Sequence, residues 1–334
     1  MQLKARQYAH KLDTLRAILG WKEEPASEKS EVYAGVRVLD RYCRAYVQHG
    51  NDAGESYARG IERLPLCGHY PIDLSWDEHA CGFLISQNDR VEEFGKDWSL
   101  RRIRCGGRIF DRSPYAVILD GVIVLCPAGG ETIIAYSRET DQEVASVSIG
   151  YSVGRLYSYF GKVLASCVDG GGRPILLVIN EDLVVERTVR MPSGVEVYPE
   201  SEVQLSILGE DTLLLLCNGM ISKQQVMTYS LSEERVIETF PLRFLHSRAW
   251  SVLKVNSKWL VSGDFFIAGL DPEGTLCFYR HVPGFNCNLL RQVFQGDGAG
   301  LYCLCSVNRT VLRLHPEKML PLAEVEGHVE EWRS

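Results

Sequence analysis

A short apolar segment that ends in a small residue recurs along this chain, and no other feature restricts the fold as strongly. The last residues of successive copies are 40, 41, 50, 46 and 42 positions apart. Recurrence at such a spacing indicates one structural unit that is repeated, with loops of variable length between copies. The copies end at Ser86, Cys126, Cys167, Cys217, Gly263 and Cys305.

The residues around each copy indicate a small antiparallel sheet. A turn rich in Gly, Asn or Asp leads from the copy to a second apolar segment, such as 132–136, and a third segment follows in most units, such as 143–147. Segments in which apolar and polar residues alternate, such as 155–159, 203–207 and 250–254, are typical of strands that line a channel. Each unit is therefore predicted to contain four strands.

Four-stranded units at this spacing predict an all-β fold, a β-propeller, because a closed ring of blades limits the exposed sheet edges. A two-layer sandwich explains the period less well, and the segments lack the 3.6-residue periodicity of a helical solenoid. We expect residues 31–334 to form about seven blades, with six as the alternative. Segments 36–39 and 44–47 would begin the first blade, and 329–332 would complete it from the other end of the chain.

The order of apolar segment, small residue, turn, apolar strand and polar tail resembles the WD40-like propeller superfamily over roughly residues 31 to 330. The signature motifs of that superfamily are not retained in this chain. The Gly-His pairs usual in the superfamily are absent from the turns between units. The His and Asp network common in the superfamily is therefore expected to be missing. The positions of the WD dipeptide hold Tyr136-Ser137, Ile179-Asn180, Tyr229-Ser230, Tyr279-Arg280 and Leu314-His315.

Residues 1–30 are predicted to form a separate arm, with a short amphipathic α-helix over 3–19 and a charged linker. Apolar side chains recur at helical spacing on one face. We expect this stripe either to cap the rim of the ring or to bind a groove on a partner protein. The four residues of the stripe are Tyr8, Leu12, Leu15 and Leu19.

Charge and hydropathy exclude several classes of function. The formal net charge of −7 disfavours direct nucleic-acid binding, because the surface as a whole repels phosphates. The basic run of Arg101, Arg102, Arg104 and Arg108 is interpreted as a solvated face. No apolar segment is long enough to cross a bilayer.

The cysteines indicate a reducing compartment, because their number is odd and most lie inside apolar segments, as small buried hydrophobes do. We expect the cytoplasm or the nucleus. The basic, amphipathic N-terminal segment is similar to a mitochondrial presequence, but numbering from Met1 makes the mitochondrion the less favoured compartment. Cys67, His69, His79 and Cys81 would pair on the faces of a hairpin, but structural zinc sites favour Cys-x-x-Cys knuckles. We assign no metal there, and metal binding by these four stays an open question.

No arrangement of residues in the sequence carries chemistry. The Gly-rich segments 169–172 and 296–300 lack the Lys-Ser/Thr pair of a phosphate-binding loop, and no catalytic serine or zinc-protease motif occurs. We therefore predict no catalytic residue and no cofactor, and nothing identifies a small-molecule ligand. The predicted function is a non-catalytic scaffold or adaptor that binds other proteins in a multi-subunit assembly. The alternatives are a propeller enzyme with a site in the central channel and a substrate receptor of a ubiquitin ligase.

Overall fold

The computed structural model describes residues 61–64, 70–192, 195, 205–217, 224–242, 248–255, 258–271, 276–295 and 298–315. These residues form strands, arranged in six sheets, and two short 3-10 turns at Cys105–Gly107 and Ser306–Asn308. The predicted helix over 3–19 and the predicted strands at 36–39, 44–47 and 329–332 lie outside the described residues.

Strand β1 (Ile61–Leu64) precedes the first blade. Blade 1 contains β2 (Pro71–Asp77), β3 (Gly82–Gln87), β4 (Val91–Gly95) and β5 (Leu100–Ile103). Blade 2 contains β6 (Pro114–Leu119), β7 (Val122–Pro127), β8 (Thr132–Ser137) and β9 (Glu143–Ser148). Blade 3 contains β10 (Ser152–Tyr159), β11 (Lys162–Val168), β12 (Pro174–Ile179) and β13 (Val185–Arg190).

Blade 4 contains β14 (Leu205–Ile207), β15 (Thr212–Cys217), β16 (Gln225–Ser230) and β17 (Arg235–Pro241). In blade 5 the described strands are β18 (Ala249–Val255), β19 (Lys258–Leu270) and β20 (Leu276–Asn286). Blade 6 contains β21 (Leu289–Gln295), β22 (Gly298–Cys305) and β23 (Thr310–Leu314), and β1 is its fourth strand.

Each blade is an antiparallel meander whose first strand lies innermost, where it contacts the first strand of a neighbouring blade. The predicted four-stranded unit is therefore confirmed, and the segments predicted to line the channel belong to β10, β14 and β18. The described residues show the six-blade alternative. The described residues form no seventh blade. Strand β1 lies in the stretch 31–66, which the other six units leave for that blade, but it belongs to blade 6.

Strand β1 completes the last blade from the N-terminal side. It pairs antiparallel with β23, with Ile61 opposite Leu314 and Leu64 opposite Val311. This arrangement differs from the predicted closure, in which residues near the C-terminus complete the first blade. The physical reason is that β1 covers the outer edge of β23, which would otherwise present unpaired backbone groups to solvent.

Six apolar clusters lie at the six interfaces between consecutive blades, including the interface between blades 6 and 1. The second and third strands supply most of these side chains. Strand β3, for example, is buried along its whole length, whereas the outermost strand β9 is largely exposed. A strand buried on both faces needs a continuous apolar sequence, and this requirement explains the recurring segment.

Serine hydroxyls link neighbouring blades at several interfaces. Ser86 accepts a hydrogen bond from the backbone N–H of Ala116 at 3.2 Å, which joins blades 1 and 2. Ser306 donates to the backbone oxygen of Pro71 at 2.6 Å, across the point where the ring closes. Buried polar groups in a propeller need such partners, and short side chains supply them here.

Candidate functional site

Charged side chains from three innermost strands meet in the central channel. Asp73 lies on β2 of blade 1, Arg155 on β10 of blade 3 and Arg291 on β21 of blade 6. Convergence of this kind is possible because a propeller brings the first strand of every blade to one axis. We call these three residues the channel cluster.

The Asp73 carboxylate is saturated with donors. Arg291 binds it with two nitrogens, Nε at 2.8 Å from Oδ1 and Nη2 at 3.1 Å from Oδ2. Arg155 Nη2 lies 3.1 Å from Oδ2, and the backbone N–H of Leu74 donates to Oδ1 at 2.8 Å. The paired contact from Arg291 is the fork geometry that makes arginine–carboxylate pairs strong and directional.

Two tyrosines support the guanidinium groups of the channel cluster. The centre of the Arg155 guanidinium lies 5.1 Å from the ring centroid of Tyr115 and 5.7 Å from that of Tyr157. The Arg291 guanidinium lies 5.8 Å from the Tyr157 ring. Contacts between a cation and an aromatic face stabilise a charge that has lost its water, so the rings offset part of the cost of burying two cations.

Burial alone would raise the pKa of Asp73, which is 6% exposed. The positive charges of Arg291 and Arg155, together with their hydrogen bonds, outweigh that effect and hold the pKa below its ordinary value. Asp73 is therefore ionised at neutral pH. With one carboxylate against two guanidiniums, the channel cluster carries a net charge of +1.

This geometry does not suit catalysis by Asp73. A general base needs a free lone pair and a pKa near the working pH, and Asp73 has neither. The described parts of the six innermost strands hold one other carboxylate, Asp77, and no histidine. Asp77 forms an ion pair with Arg138 and accepts the backbone N–H of Ala80 at 3.1 Å. Both carboxylates are therefore committed to structural contacts.

One member of the basic run, Arg104, joins blades 1 and 2. Arg104 is 1% exposed, and its nitrogens lie 3.2 Å from Glu93 and 3.3 Å from Asp141, in the adjoining blade. Arg102 also pairs with Glu93, at 3.0 Å. The interpretation of this run as a solvated face is therefore wrong for Arg104, whose long side chain bridges two acids at a blade interface, whereas Arg102 and Arg108 are exposed.

In the described turns of blades 1 to 4, exposed carboxylates are more numerous at one end of the sheets than at the other. In each meander the turn between the first and second strands and the turn between the third and fourth lie at the same end of the sheet. The exposed acids of these turns are Glu78, Asp97, Asp120, Glu139, Glu181, Asp182, Glu210, Asp211, Glu233 and Glu234.

The residues considered for a zinc site do not lie on a pair of strands. His79 and Cys81 are exposed in the tight turn between β2 and β3, where Cys81 has a φ of 47°. The prediction that their side chains share one face of a strand is therefore wrong, because the chain reverses at that point. Cys67 and His69 lie outside the described residues, as do Tyr8, Leu12, Leu15 and Leu19.

The cysteines of the apolar segments are buried, as predicted: Cys126, Cys167, Cys217, Cys303 and Cys305 are at most 2% exposed. The structure adds a grouping that sequence reasoning missed. The sulfurs of Cys287, Cys303 and Cys305 all lie within 4.8 Å of one another. The i, i+2 spacing of Cys303 and Cys305 was the only signal in the sequence, since Cys287 lies on the connection between blades.

Comparisons with known proteins extend the structural description. No protein-family model matches the chain, and no curated protein matches it by sequence. Among solved structures, U3-55K is similar with a TM-score of 0.57 and 11% identity over 77% of this chain and 98% of that chain. The fold is that of a β-propeller, with six blades in the described residues.

Other propellers are similar at the same low level of identity. A luciferin-regenerating enzyme has a TM-score of 0.55 and 10% identity, with 77% of this chain and 95% of that chain covered. The Pan2 WD40 domain of Neurospora crassa has a TM-score of 0.48 and 9% identity, with 74% and 75% covered. Identities this low show a shared fold only, and one fold hosts scaffolds and enzymes alike. Within the described residues, no helix has the length and apolar character to span a membrane.

Proposed function

We propose that this WD40-like propeller is a non-catalytic scaffold that binds other proteins within a larger assembly. The channel cluster carries the proposal: Asp73 is bound by Arg155 and Arg291 in the place where propeller enzymes assemble their sites. In the described parts of the innermost strands both carboxylates are paired with arginines, so neither is free to act on a substrate as an acid or a base. The loops, the rim and the arm remain as surfaces for recognition.

The arm is proposed as a second contact. The apolar stripe of Tyr8, Leu12, Leu15 and Leu19 has the spacing of a helix that binds in a groove. A rigid ring and a helical arm together can hold two proteins at once, which suits an adaptor, including a substrate receptor of a ubiquitin ligase. A reducing compartment, the cytoplasm or the nucleus, is supported by the cysteines of the described residues, which are not joined in disulfide bonds.

The contribution of the arm can be tested with two matched variants. Replacing Leu12, Leu15 and Leu19 with alanine is expected to lower the affinity for an arm-bound partner at least about tenfold, because apolar anchors supply much of the binding energy of a helix in a groove. The control replaces Lys11 and Arg16, which the predicted helix would place on other faces, with alanine. The measurement is quantitative co-purification of tagged full-length chains from the native cell.

The outcome separates the two arm hypotheses. Partners retained by the control variant and lost from the leucine variant would support docking on a partner. Identical partners for both variants, at equal amounts, would show that the stripe does not bind a partner. A lower thermal midpoint of the leucine variant alone, with partners unchanged, would place the stripe on the ring itself.

A further inference from the structure

Three thiols meet at the interface between blades 5 and 6. Cys303 and Cys305 occupy alternate positions on β22 and therefore point to the same side of the blade 6 sheet. Cys287 lies on the connection between β20 and β21, where its N–H donates to the backbone oxygen of Gly263 at 3.2 Å. Each of the three is 0% exposed, and their sulfurs lie within 4.8 Å of one another.

The backbone around Cys287 is fixed from both blades. The bond to Gly263 anchors it to β19 of blade 5, and the N–H of Asn288 donates to Leu304 of blade 6 at 2.9 Å. The Asn288 side chain accepts the N–H of Ser306 at 3.1 Å. The three sulfurs are thus held by two blades in a predefined geometry, which lowers the cost of bringing ligands together.

We propose that Cys287, Cys303 and Cys305 form a structural site for a soft metal ion with a filled d shell, Cu(I) or Zn(II), which joins blades 5 and 6. Metal–sulfur bonds of about 2.3 Å place the sulfurs of such a site roughly 4 Å apart. Separations within 4.8 Å therefore need only small side-chain adjustments. Thiolates are the ligands that these two ions prefer.

The number of donors favours Cu(I). In the described part of the chain no histidine or carboxylate joins the group of three sulfurs. Structural zinc sites almost always have four ligands, whereas three soft ligands suit Cu(I). Zn(II) would need the hydroxyl of Ser262, which is 0% exposed, lies beside the Cys303 thiol and finds no other hydrogen-bond partner in the described residues.

Burial determines how the site would be loaded. Each thiol that becomes a ligand releases one proton to solvent, so metal affinity increases with pH. Because the sulfurs are closed off from water, the ion enters as the two blades fold together. Reaction of the folded protein with an oxidant is disfavoured for the same reason.

The test compares cysteine variants of the full-length chain. The chain is purified without oxygen from cells supplied with copper or with zinc, and metal per chain is measured by mass spectrometry. We expect about one Cu(I) per unmodified chain from cells supplied with copper, or one Zn(II) from cells supplied with zinc. The metal content is expected to fall at least tenfold in Cys303→Ala and in Cys287→Ala. Cys167→Ala is the control, since Cys167 is equally buried and occupies in blade 3 the position that Cys305 occupies in blade 6.

The site is supported if one Cu(I) or one Zn(II) is found per chain and the metal is lost from both variants but kept by the control. The metal is identified by whether it appears in cells supplied with copper or with zinc. An unmodified chain with no more metal than Cys303→Ala overturns the proposal. If the variants fail to fold, X-ray absorption of the metal in the unmodified chain decides. Three sulfur neighbours at about 2.3 Å support the site, and nitrogen or oxygen neighbours alone overturn it.

Discussion

Replacing Asp73 with asparagine is expected to lower the free energy of unfolding by about 3–5 kcal/mol, because it leaves Arg155 and Arg291 buried without an opposing charge. Asparagine keeps the shape of the side chain, so the change isolates the charge. The measurement is denaturant-induced unfolding at neutral pH. The exposed turn residue Asp97 provides a control, and its substitution by asparagine is expected to lower stability far less than Asp73→Asn.

Unfolding measured at acidic pH provides a second test of the channel cluster. The pKa of Asp73 is lowered in the folded protein, so its contribution to stability is complete above the pKa of the unfolded chain, about 3.9. That contribution is lost as the pH falls through the folded-state pKa. The stability difference between the native protein and Asp73→Asn should therefore shrink in strong acid. If Asp73→Asn unfolds at the same denaturant concentration as the native protein at every pH, the channel cluster does not stabilise the fold.

Removal of residues 1–64 is expected to destabilise the ring by on the order of 3 kcal/mol more than removal of residues 1–60, because the two truncated chains differ only in β1. The longer truncation removes the ladder between β1 and β23 and the buried Leu64 side chain. It also exposes the outer edge of β23, which can then pair with a second molecule. Denaturant-induced unfolding and sedimentation velocity measure the two effects.

If the chain that lacks residues 1–64 is monomeric and as stable as the chain that lacks residues 1–60, β1 does not close the ring. Leu64→Ala in the full-length chain supplies an intermediate case. It is expected to cost about 2–5 kcal/mol, since Leu64 is 5% exposed and packs with Leu74 and Phe83 of blade 1. The backbone hydrogen bonds between β1 and β23 remain intact in Leu64→Ala, so this variant should stay monomeric.

The second and third strands of the blades could be predicted from the sequence because burial on both faces requires continuous apolar segments, as in β7 and β15. Strand β1 carries only a weak signal. Its four residues include Glu62 and Arg63, and a short edge strand shows no clear periodicity. The number of blades depended on that strand, so the sequence favoured seven where the described residues show six.

The channel cluster could not be predicted for a different reason. Asp73 is 82 residues from Arg155 and 218 from Arg291, and only closure of the ring brings them within hydrogen-bond distance. Residues that meet from separate blades share no local pattern. The same holds for Cys287, whose neighbours Cys303 and Cys305 are separated from it by a whole strand.

The most direct test of the scaffold is the native mass of the assembly that contains the full-length chain. The tagged protein is isolated from its own cell at moderate salt, and the absolute amount of each co-purifying protein is determined by mass spectrometry. The account predicts at least one partner at about one copy per chain, retained through a second purification step by size. A chain that elutes alone at the mass of the monomer would contradict the scaffold and return attention to the channel as a site of chemistry.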